Sequence, residues 1–154
     1  MTKLRLDLRR AGPADAPAIR RLTRDVYAKW VAAIGREPRP MAADYDMAVR
    51  NHWIDILEEA GEILALIEMI PRPDHLWIQN VAVAAPRQCG GIGTTLLAHA
   101  EETARQAGLN QLRLNTNLAF AANLAFYHHL GFSEAGREAL PDGGTMVYFV
   151  KSVS

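Results

Sequence analysis

The chain has 154 residues, about one domain's worth, and is 49% hydrophobic and 22% charged, a globular composition that excludes disorder as a description of the whole. Lys plus Arg and Asp plus Glu number 17 each, so the net charge is zero and the basic excess of a typical nucleic-acid binder is missing. A single cysteine, Cys89, excludes an internal disulfide and a Cys-rich zinc site, and its usage fits a reducing cytoplasm.

In chain order, Met1 to Arg10 alternates Leu4, Leu6 and Leu8 with charged residues, the period of a strand and not the apolar core of a signal peptide. Pro13 to Trp30 has helical spacing, with Ile19, Leu22, Val26 and Trp30 on one face and prolines in the first turns. Ile34 to Pro40 has no period and reads as a loop, and a weak helix follows over Ala42 to Arg50. Trp53 to Glu58, Glu62 to Ile70 and Leu76 to Val83 read as three strands separated by Ala60-Gly61 and Pro71-Arg72-Pro73-Asp74, an antiparallel meander. The period then changes. Gly93 to Ala107 carries a helical stripe stopped by Gly108, and Leu112 to Thr116 is a strand. Ala121 to Leu130 is a helix ended by Gly131, and Phe132 to Glu138 and Thr145 to Lys151 form a hairpin around Pro141-Asp142-Gly143-Gly144. The longest uncharged run, Leu114 to Ser133, is broken by three asparagines and two histidines, so no membrane span is expected. The expected fold class is α+β over residues 1–154 as one domain, in a soluble cytoplasmic protein.

The stretch from Asn80 to Leu97 runs from an apolar strand through a glycine-rich turn into an amphipathic helix. Glycines admit positive φ and close approach of a ligand, and the unpaired amides of a helix N-terminus suit a phosphate. Thr94 and Thr95 add hydroxyls and Arg87 a positive charge. No lysine follows, so a Walker loop is excluded. A dinucleotide fingerprint starting at Gly91 would need glycine where Leu96 stands, and the next strand carries no acid.

Gln88-Cys89-Gly90-Gly91-Ile92-Gly93 resembles the Q/R-x-x-G-x-G/A signature of the GNAT acetyltransferase superfamily, and Asn123 to Phe132 resembles its second signature, N-x-x-F/L-Y-x-x-x-G-F/Y. The resemblance implies a single mixed, mostly antiparallel sheet of about seven strands flanked by about four helices. A splayed parallel pair forms its acetyl-CoA cleft. It implies that the pantetheine arm pairs with backbone at Val81, Ala82 and Val83, and that the pyrophosphate sits on Arg87, Gln88, Cys89, Gly90, Gly91, Ile92, Gly93 and Thr94. Asn117 and Asn123 would reach amides of the arm or serve as turn and cap residues, and Phe126 would line the site. By the same resemblance Val83 N–H polarises the thioester and Tyr127 protonates the departing thiolate. Many relatives carry a Glu base where Gln79 stands, and an amide cannot titrate. Gln79 can hold a water. Glu68, read as a surface residue of its strand, and His75 are alternative bases. His52, His99, His128 and His129 read as exposed.

By the same resemblance the acceptor side falls to Tyr27, Trp30, Ile34 to Met41, Asp44 and Tyr45, with Leu140 to Thr145 opposite; Tyr27, Trp30 and Met41 would wall an apolar pocket, and Asp44 or Asp46 would hold an ammonium. Acetyl-CoA is the expected co-substrate, a small-molecule or peptide amine the acceptor, and no metal, nucleic acid or membrane is expected. A homodimer is the common assembly among such proteins. The function this implies is N-acetyl transfer to a primary amine. Its rival is a CoA-binding module that has lost catalysis, with Gln79 as its mark, and a plain nucleotide binder is a third reading.

Overall fold

A computed structural model describes residues 6–88 and 90–154. The seven strands are β1 (Leu8–Arg10), β2 (Trp53–Glu59), β3 (Glu62–Pro71), β4 (Leu76–Val83), β5 (Gln111–Asn117), β6 (Ser133–Ala139) and β7 (Thr145–Ser152). They form one sheet in the order β1-β2-β3-β4-β5-β7-β6, antiparallel everywhere except between β4 and β5. Residues 1–5, including the alternation read at Leu4, lie outside the described residues, as does Cys89.

The helices are α1 (Ala16–Tyr27), α2 (Val31–Ile34), α3 (Arg39–Ala42), α4 (Tyr45–Asn51), α5 (Ile92–Gln106) and α6 (Ala121–His129). The sequence-based helix over Pro13 to Trp30 continues through a 3-10 turn into α2 and stops at Gly35, whose φ of 73° is left-handed. The segment read as a loop, Ile34 to Pro40, holds the end of α2 and the start of α3. Both are only four residues long, too short to show a period.

Each face of the sheet buries a different helical layer. Ile19 and Leu22 of α1, with Tyr45, Ala48 and Val49 of α4, pack on Ile54, Ile56, Leu66 and Ala82. Leu96, Leu97, Ala100 and Ala104 of α5 pack on Ala65, Ile67, Met69, Leu76 and Ile78, with α6 beside them. The β2–β3 connection is a two-residue turn with positive φ at both Ala60 (51°) and Gly61 (80°), the twist that suits a hairpin.

Two features of β4 create the cleft. Its parallel pairing with β5 covers only Leu76–Leu112 and Trp77–Arg113, after which the strands part. Its pairing with β3 skips Gln79, since Glu68 opposes Asn80 and Met69 opposes Ile78. That bulge switches the strand's faces. Leu76 and Ile78 face α5 before it, Val81 and Val83 face α5 after it, and Gln79 is left exposed at the splay.

Candidate active site

The direction of the β4 amides follows from the ladder. Ala84 N–H donates to Leu64 O (2.8 Å), which makes Leu64–Ala84 and Leu66–Ala82 the hydrogen-bonded pairs. Val81 and Val83 alternate with them, so their N–H and C=O groups point away from β3 into the gap left by β5. Val83 O accepts from Gln88 Nε2 (2.9 Å), and Val81 O takes a long bond from Tyr27 Oη (3.4 Å). The two N–H groups face the cleft. Ala82 does not belong with them: its side chain is buried against α1 and α4, and its backbone is turned to β3.

Beyond Val83 a 3-10 turn (Ala85–Arg87) leads to the start of α5. Gly91 precedes α5 with φ 86°, a conformation open to glycine and strained for other residues. The first helical bond runs from Thr95 N–H to Gly91 O (3.1 Å), so the amides of Ile92, Gly93 and Thr94 have no partner within the helix. Gly93 serves a different purpose. A Cβ there would lie 3.3 Å from Phe126 Cζ, so its absence lets α6 bring that ring against α5. The Arg87 guanidinium is paired with Glu59 on β2, which offsets part of the charge it can offer an anion.

Tyr127 stands on α6 in an aromatic cluster, its ring centroid 5.4 Å from Phe126, 5.6 Å from Phe132 and 5.9 Å from Phe149. Among the described residues no group hydrogen-bonds its hydroxyl, and burial pushes its pKa up to about 12.

Two cavities open from the splay and share Tyr27, Val81, Asn123 and Tyr127. One runs along Val83, Gln88 and Gly91 to Thr94, with Arg87, Trp30 and Phe126 also on its wall. The other is lined by Trp77, Gln79, Asn115, Asn117, Phe120 and Met146, with Ile34, Arg36 and Arg39 opposite. Trp30 stacks on Phe120 (4.4 Å between ring centroids), joining the end of α1 to the start of α6 across the cleft. Gln79 Oε1 accepts from Trp77 Nε1 (2.7 Å).

Other residues singled out from sequence fall elsewhere. Tyr45 is fully buried and donates to Pro40 O (2.7 Å), and Met41 is buried beside it; neither lines the cavities. Asp44 caps α4 by accepting from Met47 N–H (3.1 Å), and Asp46 lies 3.5 Å from Arg20. Asn117 Oδ1 accepts from Ala119 N–H (2.9 Å), a turn role, while Asn123 Nδ2 bonds Thr116 Oγ1 (3.4 Å) and reaches both cavities. Gly90 lies in the bend before α5. His75 is bonded to Asp74 (2.6 Å) at the zipped end of β4.

Glu68 is buried, not on the surface as its strand position suggests. Burial raises its pKa, and a 2.5 Å hydrogen bond to His52 Nδ1 opposes the rise. His99 likewise is not free but bonded to Asp55 (2.7 Å). Beside Glu68, Asn80 joins a buried polar network that the sequence reading did not find. It donates to Thr23 Oγ1 and Tyr45 Oη (3.3 Å each) and accepts from Tyr27 Oη (2.9 Å). Burial raises the pKa of Tyr27, on the wall of both cavities, far above that of a free phenol. Arg36 and Arg39 line the chamber within the Ile34 to Met41 stretch assigned to the acceptor side, without having been singled out in it, and Phe120, which precedes the helical motif, was missed.

Residues 18–132 match the Acetyltransferase (GNAT) family, three quarters of the chain. The chain belongs to that family. An uncharacterized N-acetyltransferase of Bacillus subtilis (strain 168), YhdJ, is 33% identical over 89 residues, 54% of this GNAT chain and 63% of the relative, so the match spans less than two thirds of that protein. Among solved structures, the ribosomal-protein-S18-alanine N-acetyltransferase of Escherichia coli superposes with a TM-score of 0.76 at 22% identity, covering 96% of this chain and 94% of the other. PaiA N-acetyltransferase of Thermoplasma acidophilum, in complex with coenzyme A, gives 0.76 at 15% identity over 94% and 98%. At these identities the superpositions speak to the fold: a seven-stranded GNAT sheet with its one parallel pair at β4 and β5. Among the described residues no helix is long and apolar enough to cross a membrane.

Proposed function

We propose that this GNAT protein is an acetyl-CoA-dependent N-acetyltransferase, passing the acetyl group directly to a primary amine while donor and acceptor are both bound. The observation that carries the reading is the splay itself. It joins two unpartnered strand amides, a helix N-terminus and a free tyrosine hydroxyl in one continuous space with a second chamber on the far side.

The donor-side cavity fits acetyl-CoA by its chemistry. Val81 and Val83 N–H can pair with amides of an extended arm as an added strand would, and the Ile92, Gly93 and Thr94 amides can hold a pyrophosphate at the positive end of α5. Val83 N–H is then placed to bond the thioester oxygen, where negative charge grows as the amine nitrogen attacks the carbonyl carbon. As the C–S bond breaks, Tyr127 Oη gives its proton to the sulfur, and the amine's surplus proton passes to water, from which Tyr127 is reprotonated. No Asp or Glu lines the acceptor chamber among the described residues, so Gln79 serves as an anchor for that water, and Arg39 favours the neutral amine by its charge. Glu68 acts from the other face of β4, holding His52 and bordering the Asn80 network, and not as the base.

The same lack of a carboxylate favours the alternative of a CoA-binding module without turnover. Thiol release from acetyl-CoA over an amine panel, with the product identified by mass, separates the two. Transfer to at least one amine class supports the enzyme; CoA binding with no transfer to any amine supports the module.

A further inference from the structure

The charges around the acceptor chamber are one-sided. Its lining carries two guanidiniums, Arg36 and Arg39, and among the described residues no carboxylate; the rest is amide, hydroxyl and apolar surface. The two arginines are not equivalent. Arg36 Nε is bonded to Asp142 Oδ2 (2.8 Å) on the β6–β7 turn, so its charge is spent in closing the chamber. The nearby acid, Glu37, is held by Arg24 (2.8 Å). Arg39 makes no ion pair among the described residues.

Arg39 also sits on a braced mount. Pro38 and Pro40 restrict the backbone on either side of it. Arg24 donates to Met41 O (2.9 Å) and Tyr45 to Pro40 O (2.7 Å), tying the segment to α1 and α4. The Arg39 guanidinium, exposed on a braced backbone and without an ion-pair partner among the described residues, lines a chamber of neutral polar groups and can receive an anion, because its planar fork can bond two oxygens at once. The reacting amine must lie at the other end, by Val81 and Tyr127.

Resting on the transferase reading above, we infer that the acceptor is a small amine carrying an anionic group in the same molecule, a carboxylate in the simplest case, seated on Arg39. Polyamines and aminoglycosides, which carry several ammonium groups, would place positive charge against the unpaired guanidinium of Arg39.

The test compares kcat/KM for α-amino acids with their carboxamides and decarboxylated amines, alongside O-phosphoethanolamine and spermidine. A charge-assisted hydrogen bond makes the acids better than their amides by about tenfold or more. Arg39→Gln abolishes that preference through a rise in KM with little change in kcat, and Arg39→Glu turns the preference toward spermidine. A lead for O-phosphoethanolamine over the amino acids assigns phosphate as the anion. Amides, simple amines or spermidine matching the acids, or an Arg39→Gln enzyme that keeps the preference, overturns the inference. If CoA binds but no amine is acetylated, the transferase reading fails by itself. The charge preference is then read from the rise in Tm that each compound gives with CoA present, and equal rises for acid and amide overturn it.

Discussion

Replacing Tyr127 with Phe removes one oxygen whose only assigned task is proton donation. Burial puts the phenol at about 12. A thiol loses its proton near 8.5, so full transfer to a free thiolate would be uphill by about 3.5 pH units, about 4.8 kcal/mol at 1.36 per unit. Desolvation in the same cleft raises the thiol as well and narrows that gap. The hydroxyl then works by sharing its proton with the departing sulfur as the amine's proton leaves, not by standing as an ionised tyrosinate. General acids contribute about 10²–10⁴, and so poor a match in acidity places Tyr127 near the lower end, about 10²-fold in kcat or about 2.7 kcal/mol. Because the hydroxyl bonds no described group, Tyr127→Phe leaves stability within about 0.5 kcal/mol. The pH profile carries a second sign. Tyr127 is active when protonated, so with a pKa of about 12 its loss of activity lies above pH 11. The rate of the wild type therefore rises with deprotonation of the amine and stays level through about pH 10. Stopped-flow thiol release on both proteins, with CoA affinity measured separately, checks this. A Tyr127→Phe enzyme that keeps more than about a third of wild-type kcat, or a tyrosine-dependent fall in rate near pH 9, would refute the reasoning.

Asn80→Ala strips three hydrogen bonds from a buried network in which Tyr45 and Tyr27 keep one other acceptor each. The expected cost is about 2–4 kcal/mol, a fall in Tm of roughly 5–15 °C by calorimetry, and a fall under 2 °C would show the network to be idle. Asp55 is buried, which alone would raise its pKa, but bonds from His99 and Arg10 outweigh burial and lower it. Its stabilising contribution is therefore present above the ordinary carboxylate range and lost as pH falls below it. Asp55→Asn should cost about 1–3 kcal/mol at pH 7 and flatten the decline of Tm between pH 5 and pH 3, as followed by circular dichroism. An unchanged acid decline would rule the pairing out as its source.

The parts of the site legible in sequence are those where local chemistry has one solution. Gly91 needs a left-handed backbone and Gly93 needs to lack a Cβ, and both demands show as glycine in a strand-to-helix turn. The period changes at Val83 and Leu112 likewise mark where the two cleft strands lie. The bulge at Gln79 was not legible, since a skipped residue depends on the register of β3 against β4 and leaves no mark in either strand alone. Glu68 keeps the regular alternation of β3 on the face of Leu66, and its burial comes from the helical layer there and its bond to His52, a long-range contact that no strand pattern carries. Which residues of the acceptor-side stretch face the chamber was not legible for the same kind of reason. An aromatic residue near a loop suggests a pocket wall, but three-dimensional packing makes Tyr45 the brace and the neighbouring arginine the group that faces the chamber.

The structure with CoA bound tests the central claim most directly. The account predicts β4 and β5 still parted beyond Trp77 and Arg113, pantetheine amides paired with the backbone of Val81 and Val83, and the pyrophosphate on the amides of Ile92 to Thr94. The sulfur should lie within about 3.5 Å of Tyr127 Oη, close enough to receive its proton. CoA seated outside the splay, or bound within it with the sulfur out of reach of Tyr127, would contradict the account.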